Sequence, residues 1–128
     1  MGKILVIDDE VEVVNLLKDF ISPRGHNVTT ALNGEEGLRK FYSDNPDLVI
    51  CDLKMPRIDG FEVLKRLRSG NRWVPVIILT ALTDPGNTMK GYALEADYYV
   101  TKPVDLDSIL KAVQLMLSLI PLRKTQSA

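Results

Sequence analysis

Residues 4–9, with the sequence ILVIDD, place two carboxylates directly after four apolar residues. A short apolar run of this kind is typical of a strand buried on both faces of a parallel sheet. Three later segments repeat the form, since residues 48–52 read LVICD, residues 76–80 read VIILT and residues 98–103 read YYVTKP. Ligands of parallel sheets bind beyond the carboxyl ends of the strands. We therefore expect three carboxylates, a hydroxyl and an ammonium to meet at one sheet edge.

The composition of the 128-residue chain is that of one globular domain large enough to bury a core. A net charge of −1 provides no basic surface for nucleic acid. Cys51 is the only cysteine, which excludes an internal disulfide and suits a reducing compartment. The apolar runs are too short to span a bilayer. We expect a cytoplasmic protein that binds neither nucleic acid nor membrane directly.

Apolar runs and helical periodicities alternate along the chain. Strands are predicted at residues 3–7, 27–31, 47–51, 75–79 and 97–100. Helices are predicted at residues 10–21, 34–42, 60–68, 84–94 and 105–120. Asn33 and Asp59, each followed three residues later by Glu, are expected to cap the second and third of these helices.

Five strands alternating with five helices predict a three-layer α/β sandwich with a doubly wound parallel sheet. The flavodoxin-like strand order 2-1-3-4-5 fits such a chain best. In that order strands one and three are neighbours, so Asp8, Asp9 and Asp52 are expected to lie close together. Residues 1–120 would form the domain, and residues 121–128 a tail or the start of a linker.

The expected carboxylate cluster favours a metal ion. Carboxylates sharing a cleft repel one another, which raises the pKa of at least one of them unless a cation binds. Oxygen ligands favour a hard ion, and few protein ligands with several retained waters favour Mg²⁺. Mg²⁺ neutralises charge on a transferring phosphoryl group, and a carboxylate can act as the nucleophile. Lys102 would then pair with the phosphoryl group or with the aspartates, and Thr80 would donate a hydrogen bond to a phosphoryl oxygen, with Ala81 leaving room beside it.

Each candidate residue also has an ordinary structural explanation. The pair at positions 8 and 9 can cap the first helix, and Asp52 can be a plain loop aspartate. Thr80 can be a satisfied hydroxyl at a strand end, and Lys102 a solvated surface lysine. The occurrence of all of them at successive strand ends favours the functional interpretation.

In this order the motifs identify a resemblance. They are VIDDE at 6–10, DLKMP at 52–56, Asp59-Gly60, Thr80-Ala81 and Lys102-Pro103. From Lys3 to about Ile120, the chain resembles the receiver domain of bacterial two-component response regulators, of the kind found in chemotaxis regulators.

The resemblance implies a role for each matching position. Asp52 corresponds to the phosphoacceptor. Asp9, Asp52 and the backbone carbonyl of Lys54 are the implied direct ligands of Mg²⁺. Asp8 would act mainly through a bound water. The implied phosphoryl-binding residues are Lys54, Thr80, Ala81 and Lys102, the last followed by a cis peptide bond to Pro103.

The resemblance also implies a switch. Thr80 would move toward the phosphoryl oxygen and Tyr99 would turn inward, changing the surface of the predicted fourth helix, fifth strand and fifth helix. The implied function is signal transduction by phosphorelay. A sensor histidine kinase or a phosphotransfer protein would supply the phosphoryl group, and a downstream target or an attached output domain would respond. A phosphorylation-dependent homodimer stays open. The domain would catalyse only its own phosphorylation and dephosphorylation.

Three alternatives belong to other classes. A phosphatase of the haloacid-dehalogenase kind needs a second Asp two positions after the nucleophile, where this chain has Lys54. A flavodoxin-like cofactor binder must bind a phosphate with hydroxyls and amides in the loop after strand one. The acidic residues 8–10 of this chain would repel that phosphate. A receiver-like interaction module that is not phosphorylated would lack an essential motif residue, and none is missing. Whether the chain is complete or part of a longer protein stays open.

Overall fold

The computed structural model describes residues 2–70, 73–81 and 96–119. A parallel five-stranded sheet runs through them in the order β2-β1-β3-β4-β5, as predicted. The strands are β1 (Lys3–Ile7), β2 (Asn27–Ala31), β3 (Leu48–Asp52), β4 (Val76–Ala81) and β5 (Tyr98–Lys102). The helices of the described residues are α1 (Val11–Ile21), α2 (Gly34–Asp44), α3 (Gly60–Arg68) and α4 (Leu106–Ser118), with a 3₁₀ turn at Ser22–Arg24.

Helices cover both faces of this sheet, which confirms the three-layer sandwich. Alternate side chains of β3 enter opposite cores, with Val49 and Cys51 on the α2/α3 side and Leu48 and Ile50 on the α1/α4 side. Every residue of β3 is buried. Burying a large apolar side chain contributes about 1.5–3 kcal/mol, so these two layers supply most of the driving force for folding.

The two predicted helix caps are confirmed. The side chain of Asn33 accepts a hydrogen bond from the backbone N–H of Glu36 at 2.8 Å, and that of Asp59 accepts one from Glu62 at 2.9 Å. α2 continues to Asp44, two residues beyond the predicted end, and stops at Asn45 in the left-handed conformation with φ 49°. This cap needs a residue that tolerates positive φ, and Asn is one of the few.

Three strands are shifted relative to prediction. β3, β4 and β5 each begin one residue later than expected and end one or two residues later. Their polar ends remain in the ladder, since Thr80 is in register with Thr101 and Ala81 with Lys102. Backbone pairing does not depend on the side chain, so a polar residue need not end a strand.

Two predicted segments lie outside the described residues, namely the helix at 84–94 and the tail at 121–128. α4 therefore corresponds to the predicted fifth helix. Within the part of the chain that the structure describes, none of the helices has the length and apolar character needed to cross a membrane.

Candidate functional site

The carboxyl ends of four neighbouring strands bring the candidate residues to one edge of the sheet. Asp8 follows β1 and Asp52 ends β3. Thr80 is the second-last residue of β4, and Lys102 ends β5. The side chains of Asp8, Asp52 and Thr80 are buried, whereas Asp9 is exposed. The sheet order thus unites residues that are up to 94 positions apart in the sequence.

Three carboxylates form the acidic part of this edge. One oxygen from each of Asp8, Asp9 and Asp52 lies within 4.8 Å of the other two. Asp8 is held in place by its other oxygen, since Oδ1 accepts a hydrogen bond from the backbone N–H of Glu10 at 2.9 Å. This bond is made just before α1, whose N-cap is Glu10. The carboxylates of the Asp8-Asp9 pair are therefore not the N-cap of the helix.

One ammonium group joins the cluster. Nζ of Lys102 lies 3.0 Å from Asp8 Oδ2, 3.2 Å from Asp52 Oδ1 and 3.2 Å from Glu10 Oε1. All three contacts are ion pairs, and the contact with Glu10 is also a hydrogen bond in which Nζ donates to Oε1. Lys102 is thus a fixed part of the site and not a solvated surface lysine.

The electrostatics of the cluster show an excess of negative charge. Burial, followed by the neighbouring charge of Asp8, raises the pKa of Asp52 to about 6 despite the opposing effect of Lys102. Burial also raises the pKa of Asp8. Burial acts to lower the pKa of Lys102, but the hydrogen bond to Asp8 and the charge of Asp52 outweigh it and raise that pKa. A single ammonium does not balance these carboxylates, and a divalent cation fits the all-oxygen donor set.

Thr80 presents an unusual hydroxyl. Its Oγ1 is buried and has no hydrogen-bond partner among the described residues. A buried hydroxyl without a partner costs about 1–3 kcal/mol, so such atoms are uncommon and often functional. Ala81, the next residue, is exposed and carries only a methyl group beside it.

The remaining predicted residues lie around this centre. Lys54 is in the loop after β3 with its side chain exposed, and Tyr99 lies in β5, partly buried against the α2/α3 core. The peptide bond between Lys102 and Pro103 is cis, as the resemblance implied. The loop after β3 is closed by the backbone N–H of Gly60, which donates to the carbonyl of Leu53 at 2.8 Å.

Two features of the site were missed at the level of sequence. The sequence indicates Glu10 as a motif residue, a helix start and a negative charge, but not as a partner of Lys102, which its side chain binds in the structure. The sequence shows Gly60 as part of a motif, and the structure shows why glycine is needed there. A Cβ at this position would lie 2.5 Å from the backbone oxygen of Asp52. A third consecutive acidic residue after β1 was the available signal for Glu10.

Comparisons with known proteins agree on the type of domain. The family model described as the response regulator receiver domain matches residues 4–114. The alkaline phosphatase synthesis transcriptional regulatory protein PhoP of Bacillus subtilis is 43% identical over 101 residues, which are 79% of this chain and 42% of that protein. The transcriptional regulatory protein AfsQ1 of Streptomyces coelicolor is 39% identical over 116 residues, which are 88% of this chain and 51% of that protein. The chain spans about half the length of these curated relatives.

Solved structures give the same picture. A response regulator receiver domain protein from Clostridium thermocellum matches with a TM-score of 0.89 and 33% identity, covering 95% of this chain and 98% of that one. The chemotaxis protein CheY4 of Vibrio cholerae matches with a TM-score of 0.83 and 31% identity, covering 91% of this chain and 98% of that one. Both are covered almost end to end, so the similarity extends over the whole fold.

Proposed function

This chain belongs to the response regulator receiver domain family, and we propose that it accepts a phosphoryl group on Asp52 and transmits that event through its surface. Receiver domains act in phosphorelay signalling, and the curated relatives are regulators rather than metabolic enzymes. The observation that carries the proposal is the contact of one ammonium with Asp8 and Asp52 beside a third carboxylate. This arrangement suits phosphoryl transfer better than any other chemistry.

Asp52 is the proposed nucleophile. An ionised carboxylate oxygen attacks the phosphorus of a phosphohistidine on a sensor histidine kinase or a phosphotransfer protein. The P–O bond to Asp52 forms as the P–N bond breaks, and the departing imidazole nitrogen takes a proton. Asp52 is ionised above its pKa of about 6, so it is ready for attack at neutral pH.

The metal proposed here is Mg²⁺, which Asp8, Asp9, Asp52 and the backbone carbonyl of Lys54 would hold. When bound, it neutralises negative charge on the transferring group. The fit rests on the all-carboxylate donor set and on the raised pKa of Asp8 and Asp52, which a cation would relieve.

Lys102 and Thr80 are proposed to hold the phosphoryl group once it is on Asp52. Nζ of Lys102 is already 3.2 Å from Asp52 Oδ1 and can donate to a phosphoryl oxygen. The buried hydroxyl of Thr80 gains the hydrogen bond that it lacks among the described residues. Ala81 and Lys54 flank the group. This gain supplies the differential interaction that a switch requires.

We propose that Tyr99 follows Thr80, because both lie in the paired strands β4 and β5. Its turn inward would change the face formed by β5 and its neighbouring helices. That face would then bind a downstream target, an attached output domain or a second copy of the chain. Residues 1–120 would be the receiver, and residues 121–128 a tail or the start of a linker. We expect this exchange to occur in the cytoplasm.

The test is intact mass spectrometry after incubation with acetyl phosphate. The wild-type chain should gain one phosphoryl group in Mg²⁺ and none in EDTA. Asp52→Asn should gain none, whereas Asp19→Asn, at an exposed position of α1, should behave as wild type. A chain that gains no phosphoryl group in Mg²⁺ would refute the proposal and favour an interaction module that is not phosphorylated.

A further inference from the structure

The side chain of Glu10 has a contact that its position in the helix does not explain. Glu10 is the N-cap of α1, yet its side chain makes no capping hydrogen bond. Its backbone carbonyl accepts from Val13 and Val14, so α1 begins without help from the carboxylate. The carboxylate instead reaches across to Lys102, 92 residues away in the sequence.

The three contacts of Lys102 differ in how easily they are released. Asp8 is fully buried and Asp52 nearly so, whereas the Glu10 side chain is 62% exposed. Releasing a buried carboxylate from Lys102, its one cationic partner among the described residues, leaves an uncompensated charge, which costs several kcal/mol. Water replaces Lys102 around Glu10 at little cost, because an exposed ion pair contributes little. Glu10 is therefore the contact that Lys102 gives up first.

A phosphoryl oxygen needs an N–H group of Lys102, and one of these groups already donates a hydrogen bond to Glu10 Oε1 at 3.2 Å. We propose that Glu10 is a positioning residue that occupies this N–H group before phosphorylation and yields it to the phosphoryl oxygen. The inference rests on the proposed function. The ion pairs with Asp8 and Asp52 keep Lys102 in the site, so the contact with Glu10 acts mainly by competing with the incoming group. Loss of the contact should strengthen binding of a phosphoryl analogue.

The probe is beryllofluoride, whose fluorides stand in for phosphoryl oxygens. ¹⁹F NMR titration at saturating Mg²⁺ gives its affinity and the chemical shift of the bound fluorides. Glu10→Gln should bind beryllofluoride about two- to fivefold more tightly than wild type, the range expected for one exposed ion pair. The rate of phosphorylation at low acetyl phosphate should rise by a similar factor.

Two further variants separate the contact from simple charge. Glu10→Asp keeps the charge but shortens the side chain by one methylene group. The carboxylate then no longer reaches Lys102 Nζ, which lies 3.2 Å from Glu10 Oε1 in the wild-type structure. Glu12→Gln removes an equal charge from the same groove, at a residue without an ion pair among those described. If Lys102 releases Glu10 as proposed, Glu10→Asp should bind beryllofluoride about as tightly as Glu10→Gln does. The affinity of Glu12→Gln should remain within about twofold of wild type.

The outcomes are distinguishable. Equal affinities for wild type and Glu10→Asp, with normal wild-type binding, would overturn the inference and leave the proposed function intact. Equal gains in Glu10→Gln and Glu12→Gln would also overturn it, because they would show general repulsion of anions. A wild-type chain that binds no beryllofluoride in Mg²⁺ would refute the proposed function and the inference together.

Discussion

At the scale of single residues, the free energy of the site is dominated by buried negative charge. Asp52 is 5% exposed and Asp8 is fully buried, so water does little to separate their charges. Burial and the repulsion by Asp8, which together raise the pKa of Asp52, destabilise the fold whenever that group is ionised. The cluster of carboxylates therefore lowers the stability of the domain when no cation is bound.

The pH dependence of stability follows from this charge. The pKa of Asp52 is about 6 in the fold, against an ordinary value of 3.8. Between these values the folded chain binds more protons than the unfolded chain, so stability falls as the pH rises through this range. In EDTA, Asp52→Asn should raise the free energy of unfolding by about 1–3 kcal/mol at pH 7.5. The gain should nearly vanish around pH 4, because Asp52 in the folded wild type is then protonated and as uncharged as the asparagine of the variant.

Urea denaturation of both proteins at several pH values measures this difference. Adding Mg²⁺ is the control, because it should stabilise wild type more than Asp52→Asn and so narrow the gap. A variant less stable than wild type at pH 7.5 in EDTA would show that the contact with Lys102 outweighs the repulsion between the carboxylates.

At the scale of elements, the start of α3 is packed directly against the end of β3. The missing Cβ of Gly60 allows its backbone to approach Asp52 and Leu53, which a Cβ would meet at 2.5 and 2.8 Å. These are backbone atoms of Asp52 and its neighbour, and they cannot move away as the end of a flexible side chain can. The position of the first residue of α3 therefore depends on the backbone that carries the Asp52 side chain.

Gly60→Ala should destabilise the domain by about 1–3 kcal/mol and slow adduct formation with acetyl phosphate, because the Asp52 backbone must shift. Gly70→Ala is the matched control, since the nearest described atom that its Cβ would meet is the Leu67 backbone oxygen at 3.6 Å. That variant should change stability by no more than about 0.5 kcal/mol. Equal stabilities and equal rates for the two variants would contradict this account of Gly60.

At the scale of the whole molecule, an ion pair with little exposure to solvent lies at the opposite end of the sheet. Arg68, the last residue of α3, lies 2.6 Å from Asp97, and both side chains are less than 15% exposed. Arg68 also donates to the carbonyl of Val74, and Asp97 accepts from the backbone N–H of Val76. This pair joins α3 to the starts of β4 and β5, whose far ends hold Thr80 and Lys102.

Asp97→Asn should cost about 2–4 kcal/mol, because it leaves the guanidinium of Arg68 buried without its carboxylate. The matched control is Glu62→Gln, which breaks an ion pair with Arg66 at 3.0 Å whose side chains are 41–51% exposed. That variant should cost no more than about 0.5 kcal/mol. Thermal unfolding of both variants measures the two losses of stability. Similar losses would mean that the low exposure of the Arg68–Asp97 pair does not make it more stabilising than the exposed pair.

The sequence by itself determined the strands, their order and the helix caps of this protein. β1 and β2 lie at the predicted residues, and the other strands begin one residue later than predicted. These features were predictable because apolar runs, helical periodicity and capping side chains act over a few neighbouring residues. The sequence also indicated which residues would meet, since parallel strands share one carboxyl edge.

Only the tertiary structure decided which atoms are in contact at that edge. It paired Glu10 with Lys102, left Thr80 Oγ1 buried without a partner among the described residues, and brought Gly60 against Asp52. It also set the ends of β4 and β5, through pairing that extends past the apolar residues. Such contacts join residues far apart in the chain, and their distances and burial depend on how all the layers pack, which no local pattern encodes.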